Sequence, residues 1–414
     1  MKKLLLLGGS RYLIPVIKTA HELGIYVITC DYLPDNEGHK YADEYHNVSI
    51  IDREAVLNLA KELKIDGILS FATDPGVIVA AYVADKLNLP FPPYESVRIL
   101  QNKDLFRKFL RDNHFNVPYA EGFQEKDHYA NFIEKFHFPV IVKPVDSAGS
   151  KGVTRIDEKD NLENAIRYAL NYSHSRRYII EEFIEKKGNS SDSDCFSINN
   201  QLVCASFSSQ YFDENAANPY TPSAYSWPSD MPLNKICELR EELQRLISLL
   251  NLGTSIYNVE TRLGVDGKAY IMEVSPRGGG NRLSEMIKYA SGEDLIKNCV
   301  KAAVGLSLDM MKDPVYDGAW AEYIIHSEEQ GIFESLEIDQ DFEDKYVIEK
   351  DLWVKRGDNV RAFTGANETI GTLILKFSNQ VELQNHLMDI QKFVRVNIKK
   401  VCRQTSNNGK IIID

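Results

Sequence analysis

Two glutamates in one predicted hairpin are the residues whose spacing has the clearest chemical meaning. Asp266-Gly267 is typical of a tight hairpin turn, and counting outward from it along both strands places Glu260 opposite Glu273. Directly opposed side chains on one sheet face lie about 5 Å apart, where like charges repel each other. A divalent cation turns that repulsion into binding, and Mg²⁺ commonly takes one or two carboxylates together with substrate phosphates. The hairpin therefore predicts a metal-nucleotide site, with a solvated surface hairpin as the alternative.

The stretch from Phe138 to Gly152 is a second candidate binding element. An apolar strand carries Lys143 near its end, and a loop with two glycines and two serines separates it from the next strand. A loop of this kind can fold its backbone N–H groups over phosphates, as the glycine-rich loop of protein kinases does. The sequence does not contain the G-x-x-x-x-G-K-[ST] pattern of a Walker loop. An ordinary hairpin turn is the alternative interpretation of the loop.

Composition narrows the function classes. The 414 residues are 43% hydrophobic and 26% charged, with a net charge of −12, which is typical of a globular protein of about three domains. An acidic chain argues against nucleic acid or an anionic membrane as the main partner, and no apolar run approaches the ~18 residues of a membrane span. The six cysteines show no Cys-x-x-Cys spacing, which predicts reduced thiols and a cytoplasmic location.

The elements that must position these residues begin with a predicted doubly wound α/β domain. Alternating patterns predict strands over residues 3–8, 25–30 and 67–71, and helices ending at Leu23 and spanning 53–63 and 77–87. The proline-rich segment 89–94 ends this domain. Gly8-Gly9-Ser10 lacks the G-x-G-x-x-G pattern of a dinucleotide site, so we interpret it as a tight strand-to-helix turn, with a small anion near the helix N-terminus as an open alternative.

The remaining pattern mixes antiparallel strands with helices. It predicts a helix carrying Lys103 and Arg107, a helix over 127–136, strands over 138–144 and 178–184, a hairpin over 195–206, and helices over 239–250 and 283–289. From about residue 317 we expect short strands and turns, with one helix near 381–393. The fold class is therefore predicted to be α/β and α+β.

Taken in order, these pieces resemble the ATP-grasp superfamily over nearly the whole chain. The order is Asn-Lys103, Val-Ile-Val-Lys143-Pro, the loop 147–152, Glu181-Glu-Phe-Ile184, Glu260 and Glu273-Val-Ser-Pro-Arg277. The resemblance implies a small N-terminal α/β domain over 1–98, a two-lobed ATP-grasp fold over 99–312 with a lid at about 137–206, and a β-rich C-terminal domain over 313–414. The tail is similar to that of biotin-carboxylase-like and L-amino-acid-ligase-like members.

The resemblance also implies a nucleotide site. Lys103 and Lys143 would neutralise the nucleotide phosphates as point charges. The loop residues Ser147, Gly149, Ser150, Lys151 and Gly152 would cover the phosphates and exclude water. Glu181 would hold the adenine, together with the backbone of Glu182, Phe183 and Ile184. Relatives place a glutamate after this strand to hold the ribose; this chain has Ser190 there, and Asp192 is a substitute.

The metal and reaction roles follow from the same resemblance. Glu260 and Glu273 would hold Mg²⁺, with Mn²⁺ as a substitute ion. Ser275 stands where many relatives carry asparagine, and Asn258, which falls opposite Ser275, is the alternative third ligand. Arg277 would bind the reacting carboxylate with its two-pronged guanidinium and stabilise the charge that develops on transfer, so Arg277 and Lys143 are the predicted catalytic residues.

Substrate contacts are expected at Asp74, Arg277, Gly279, Asn281 and Arg282, and the aromatic-rich segment 218–227 is either a specificity loop or an ordinary packed loop. The resemblance implies a ligase that joins a small-molecule carboxylate to an amine through an acylphosphate, and it leaves a homodimer open. An ATP-dependent carboxylase or formate-using transformylase is the alternative reaction. A nucleotide-sensing protein without catalysis is the alternative of another class.

Overall fold

The computed structural model describes residues 1–127, 129–147 and 151–400. Its strands are β1 (Lys3–Leu7), β2 (Tyr26–Cys30), β3 (Glu44–His46), β4 (Gly67–Ser70), β5 (Ala120–Gln124), β6 (Val140–Pro144), β7 (Thr154–Ile156), β8 (Arg177–Glu182), β9 (Ser191–Ile198), β10 (Gln201–Ala205), β11 (Ser209–Phe212), β12 (Pro222–Trp227), β13 (Ser255–Leu263), β14 (Ala269–Ser275), β15 (Ala319–Ile325), β16 (Gly331–Ile338), β17 (Val347–Leu352), β18 (Asn359–Val360), β19 (Gly371–Phe377) and β20 (Val394–Lys399).

The α-helices are α1 (Ile14–Glu22), α2 (Arg53–Leu63), α3 (Asp74–Leu87), α4 (Tyr94–Gln101), α5 (Lys103–Asp112), α6 (Ala130–Ile133), α7 (Leu162–Asn171), α8 (Leu233–Leu249), α9 (Leu283–Ser291), α10 (Leu295–Ala303), α11 (Gln340–Tyr346) and α12 (Gln380–Met388). Short 3₁₀ turns lie at Arg11–Leu13, Glu37–Tyr41, Lys159–Asn161, Ala366–Glu368 and Ile390–Lys392. Within the described ranges, no helix combines the length and the apolar character needed to cross a bilayer.

The described chain divides into two compact units. One comprises Met1–Ser209 with Ser229–Val315, and the other comprises Gln210–Pro228 with Tyr316 to the end of the described chain. The three-domain division predicted from the sequence stays a proposal.

The first unit begins with a parallel sheet, which confirms the predicted doubly wound start. Its strand order is β3-β2-β1-β4, and every pairing is parallel. All four leucines of the apolar run in β1 are fully buried, because a parallel sheet with helices on both faces has no solvent-facing side. The carboxyl ends of β1, β2 and β4 meet at one edge, which is where ligands bind in sheets of this type.

Two antiparallel sheets complete the first unit. One has the order β5-β8-β6-β7 and carries Lys143 and Glu181 on neighbouring strands. The other has the order β10-β9-β13-β14 and carries the opposed glutamates. Phe196 and Ile256 from this second sheet share a core with Leu4 and Leu6 of the parallel sheet, so the N-terminal sheet and the glutamate hairpin are packed on one hydrophobic core.

The second unit is rich in strands. Its sheets have the orders β11-β12-β15-β19-β17 and β18-β16-β20, and α11 and α12 contribute Phe342, Leu383 and Leu387 to its core. The predicted helix near 381–393 exists but ends at Met388. The predicted helix over 127–136 is reduced to the single turn of α6, whereas α8 starts six residues earlier than its amphipathic pattern indicated.

Candidate functional site

The glutamate hairpin pairs as predicted, although its turn differs from the prediction. Glu260 lies opposite Glu273 and Asn258 lies opposite Ser275. Near the turn, however, Leu263 lies opposite Ala269. A two-residue turn at Asp266-Gly267 would instead pair Leu263 with the residue that follows Ala269. The Gly267 N–H donates to the Gly264 carbonyl at 2.9 Å, and Gly267 has a φ of +78°. The turn is thus a three-residue loop ending in a left-handed glycine.

A β-bulge at Met272 restores the register. Thr261 lies opposite Ile271 while its neighbour Glu260 lies opposite Glu273, so Met272 is the extra residue on β14. The alternation of core and non-core residues along β14 shifts by one position at Met272. Ala269 and Ile271 belong to the hydrophobic core, and the next core residue is Val274. Since side chains alternate between faces along a strand, the bulge is what places Glu273 and Ser275 on the face opposite the core.

Two cations lie beside the glutamates at distances longer than hydrogen bonds. Lys103 Nζ is 3.7 Å from Glu273 Oε2, and Arg262 Nη2 is 4.0 Å from Glu260 Oε1. Burial raises the pKa of Glu260; Arg262 opposes this rise and Glu273 adds to it. The carboxylates therefore face each other with only partial neutralisation.

This donor set fits a magnesium ion that is also bound to phosphates. In the described part of the chain, no group of three or more His, Cys, Asp and Glu side chains is arranged to hold a metal ion. Two hard carboxylates without a third protein acid match the way Mg²⁺ is held in nucleotide sites, where phosphates and water complete the coordination. Glu260 and Glu273 would hold the ion, whose chemical contribution is to neutralise phosphate charge.

A largely buried ionic triad joins the neighbouring sheet to α5. Lys143 Nζ donates to Glu181 Oε1 at 2.5 Å, and Arg107 Nε donates to Glu181 Oε2 at 2.9 Å. The side chains of Arg107 and Glu181 are only 3% and 4% exposed. Although burial alone would disfavour its charge, Arg107 and Lys143 lower the pKa of Glu181 to about 2. The triad has one more positive than negative charge, which suits an anionic ligand beside Lys143.

The predicted adenine segment is bound to its surroundings through its backbone. The Glu182 N–H donates to the Tyr119 carbonyl and the Phe183 N–H donates to the Pro139 carbonyl, each at 2.9 Å. The Ile184 carbonyl accepts from Arg262 Nη1 at 3.2 Å. Arg262 thus connects this segment to the strand that carries Glu260.

Two side chains of this segment have partners outside the triad. The Glu182 carboxylate contacts the exposed His137 at 2.8 Å, and the Arg155 guanidinium lies 4.4 Å from the Phe183 ring centre.

The predicted phosphate-covering loop is described only at its ends. The Ser147 carbonyl accepts from Lys103 Nζ at 2.9 Å. Lys151 is exposed, and Gly152 has a φ of +73°, where a side chain would also meet Tyr172 and Pro144 at 3.0 to 3.1 Å. Gly149 and Ser150 lie outside the described residues.

Arg277 and Asp74 form a two-pronged ion pair. Arg277 Nε and Nη2 donate to the two Asp74 carboxylate oxygens at 2.8 and 2.6 Å, and Nη1 donates to the Gly278 carbonyl at 3.0 Å. Burial alone would raise the pKa of Asp74, but the ion pair with Arg277 lowers it. Ser275 is buried; it accepts from Gln101 and donates to Asp74 at 2.8 and 2.9 Å. The two predicted substrate residues therefore contact each other here.

A buried polar strand forms the next part of the site. Asp192 and Asp194 lie on β9, opposite Glu260 and Asn258 respectively. Asn258 Nδ2 donates to Asp192 Oδ1 at 2.7 Å. Asp194 Oδ1 accepts the Gly279 N–H at 2.8 Å, and Asp194 Oδ2 accepts from the Ser284 hydroxyl. Asp194 thus fixes the glycine-rich segment that follows Arg277.

The remaining predicted substrate residues lie next to this segment. The Tyr12 hydroxyl donates to Asn281 Oδ1 at 3.1 Å, and Arg282 pairs with Glu285 at 3.0 Å. A side chain at Gly279 would meet Leu283, Asn258 and Asp194 within 3 Å, so this close approach requires glycine.

Asp192→Asn is expected to stabilise the metal-free and nucleotide-free protein, by an amount that grows with pH. Burial and then Glu260 raise the pKa of Asp192 to about 8, against about 3.9 in an unfolded chain. Because the folded-state pKa is the higher one, between about pH 4 and pH 8 Asp192 ionises in the unfolded chain but stays largely protonated in the folded protein, so the free energy of unfolding of the wild type falls across this range. Melting temperatures in EDTA at pH 5, 6.5 and 8.5 measure this, with Asp157→Asn, an exposed site, as control. An equal gain in melting temperature at all three pH values would contradict the raised pKa of Asp192.

Sequence reasoning missed several residues of the site. The Ser-Asp-rich stretch before Cys195 has the composition of a loop, yet it forms the buried first half of β9. Arg107 and Arg262 gave no signal beyond an ordinary helical or strand position. The buried position of Arg107 could have been suspected only from its place one turn after Lys103 on the same helix face.

The chain is similar to known proteins over this same region. A family model described as an ATP-grasp domain matches residues 136–285. Formate-dependent phosphoribosylglycinamide formyltransferase from Prochlorococcus marinus (strain NATL2A) is 29% identical over 195 residues, 44% of this chain and 48% of that protein. The enzyme of the same name from Burkholderia pseudomallei (strain 668) is 27% identical over 288 residues, 66% of this chain and 69% of that protein. The chain thus matches about half of the first relative's length.

Solved structures share the fold. An L-amino acid ligase from Bacillus licheniformis has a TM-score of 0.79 at 20% identity, over 97% of this chain and 99% of that chain. The biotin carboxylase domain dimer of the Hydrogenobacter thermophilus 2-oxoglutarate carboxylase, in complex with MgADP, ADP and bicarbonate, has a TM-score of 0.74 at 15% identity, over 96% of this chain and 91% of that chain. These likenesses establish the architecture.

Proposed function

Because this chain belongs to the ATP-grasp superfamily of ATP-dependent ligases, we propose that it activates a small-molecule carboxylate with ATP and joins it to an amine. The observation that carries the proposal is the face shared by Glu260 and Glu273, beside the half-buried cations Lys103 and Lys143. Two acids for a metal and two lysines for phosphates are the parts that phosphoryl transfer requires.

The proposed reaction has two balanced steps. A carboxylate oxygen of the acid substrate bonds to the γ-phosphorus of ATP while the bond from that phosphorus to the ADP oxygen breaks. The amine nitrogen then bonds to the acyl carbon, phosphate leaves with the former carboxylate oxygen, and the amine releases a proton. Arg277 and Lys143 are the proposed catalytic residues.

Arg277 is suited to binding a developing negative charge. A guanidinium has five N–H donors, and the contacts to Asp74 and Gly278 use one each on Nε, Nη1 and Nη2. One further donor on each terminal nitrogen is left for an oxyanion. Asp74 supports this role by fixing the plane of the fork, so we propose that Asp74 orients Arg277 in addition to lying near the substrate.

The nucleotide assignments complete the proposal. Lys103 and Lys143 bind phosphates, and the loop 147–152 covers those phosphates. Glu181 and the backbone of 182–184 hold the adenine. Glu260 and Glu273 hold Mg²⁺, with Ser275 or Asn258 as a third ligand, and Asp192 is the ribose contact. Gly279, Asn281 and Arg282 contact the acid or the amine.

A one-carbon acid is the second candidate substrate. The formyltransferases that match this chain at 27–29% identity are named as formate-dependent, and formate is itself a carboxylate. The chemistry at the site would be the same, with formate as the activated acid and an amine as the acceptor.

ADP release measured against a panel of acids and amines tests the proposal. We expect release that requires one acid and one amine together, with amino acids, formate and bicarbonate tested in turn as the acid. Glu273→Gln serves as the blank for contaminating ATPases. Nucleotide binding without acid-stimulated ADP release across the panel would instead support a nucleotide-sensing protein.

A further inference from the structure

We propose that Arg107 is a positioning residue that sets both the metal-binding carboxylates and the phosphate-binding lysine. The inference rests on the proposed function, since it assigns Arg107 a role toward Glu273 and Lys143. Arg107 is buried on α5, and its guanidinium contacts two different sheets of the first unit.

The first contact holds the bulge on the metal strand. Arg107 Nη1 donates to the Met272 carbonyl at 2.8 Å. Met272 is the bulged residue, and the bulge is what moves Glu273 from the core face to the face of Glu260. A bulged residue loses its regular ladder partner, so the partly buried carbonyl of Met272 needs another donor. Arg107 supplies that donor immediately before the metal-binding glutamate.

The second contact controls Lys143. Arg107 Nε donates to Glu181 Oε2 at 2.9 Å while Lys143 Nζ donates to the other carboxylate oxygen at 2.5 Å. Without Arg107, the buried Glu181 would depend on Lys143 alone for its charge balance. Arg107 therefore leaves part of the Lys143 charge for phosphates and keeps the lysine at a fixed position.

Both contacts need the shape of the guanidinium. Its N–H groups point in fixed directions and reach a carboxylate and a carbonyl at the same time, whereas a lysine ammonium is a single point of charge on a flexible stem. Arg107→Lys keeps the charge, but it is expected to lose the contact to Met272 or the contact to Glu181.

The test compares Arg107→Lys with Arg111→Lys. Arg111 lies one turn later on α5 and also contacts a carbonyl and a carboxylate, at Ala120 and Glu121, but its side chain is 42% exposed. Three quantities are measured: Mn²⁺ affinity at saturating ADP by electron paramagnetic resonance, ADP affinity in EDTA by calorimetry, and melting temperature. Loss of a residue that orients metal ligands typically costs 10–100-fold in metal affinity.

We expect Arg107→Lys to weaken Mn²⁺ binding by about 10–100-fold and Arg111→Lys to leave it unchanged within about twofold. If Arg107→Lys is too unstable to measure, Arg107→Ala with added guanidinium ion replaces it, and guanidinium is expected to restore Mn²⁺ affinity in that variant but not in Glu273→Gln. Wild-type-like Mn²⁺ binding in Arg107→Lys would overturn the inference, as would a fall in melting temperature with no selective loss of metal affinity. If the wild-type protein binds no Mn²⁺ with ADP, the proposed function fails first and the inference fails with it.

Discussion

Glu273→Gln is expected to remove nearly all magnesium-supported ATP turnover while leaving the fold as stable as before or more stable. Glu273 and Glu260 face each other at one register position, and the ammonium of Lys103 is 3.7 Å from Glu273 Oε2, beyond hydrogen-bond distance. An amide oxygen is a weaker ligand for Mg²⁺ than a carboxylate, so metal binding suffers. The fold gains because a like-charge pair across the strands is relieved.

Loss of Glu273 should reduce turnover more than loss of a residue that only positions a metal ligand. Substitution of groups that only orient metal ligands costs about 10–100-fold, so loss of a direct ligand should cost more than about 100-fold in turnover at low magnesium. Turnover across a magnesium titration and the melting temperature in EDTA are the measurements. Glu334→Gln, an exposed strand glutamate of the second unit, is the control. Unchanged turnover at low magnesium would remove Glu273 from the metal site.

Arg277→Lys is expected to reduce the rate of the chemical step by about 10²–10³-fold, the loss seen when a donor to a developing oxyanion is removed. Lysine keeps the charge but cannot reproduce the fork that binds both oxygens of Asp74, and it leaves fewer donors for the substrate. The affinity for ATP should change much less, because Arg277 is proposed to contact the acid and not the nucleotide.

Lys143→Ala is the comparison variant for this prediction. A hydrogen bond to a charged group contributes about 1.5–3 kcal/mol, so loss of Lys143 should weaken nucleotide binding by roughly 10–100-fold. Calorimetry of nucleotide binding and single-turnover ADP formation with saturating acid separate the two roles. If Arg277→Lys loses nucleotide affinity as severely as Lys143→Ala while its bound-state rate is normal, Arg277 belongs to the nucleotide site.

The hairpin shows how far the sequence leads. Asp266-Gly267 located the turn, and the predicted pairing of Glu260 with Glu273 is confirmed. The predicted turn was wrong, because it is one residue longer than predicted. The bulge at Met272 compensates for the extra residue and restores the pairing. A bulge depends on tertiary contacts such as the one from Arg107, and nothing in the local pattern of β14 indicates it.

The residue pattern predicted the wrong secondary structure where polar residues of the candidate site form a strand. The first half of β9 is a run of serines and aspartates, which is typical of a turn, and only its neighbours Glu260 and Asn258 explain why it is a buried strand. Conversely, the parallel sheet was predictable, because its strands are continuous apolar runs separated by amphipathic helices. Polar residues that a site buries have no signature of their own in a single sequence.

The central claim is that this site activates a carboxylate by phosphorylation. The direct measurement uses the acid found in the ADP-release panel, labelled with ¹⁸O in both carboxylate oxygens, and mass spectrometry of the phosphate released in unlabelled water. The proposed reaction predicts one ¹⁸O atom in each phosphate, because the oxygen that attacks phosphorus leaves with it. Phosphate released at the same acid-dependent rate but free of ¹⁸O would contradict the claim.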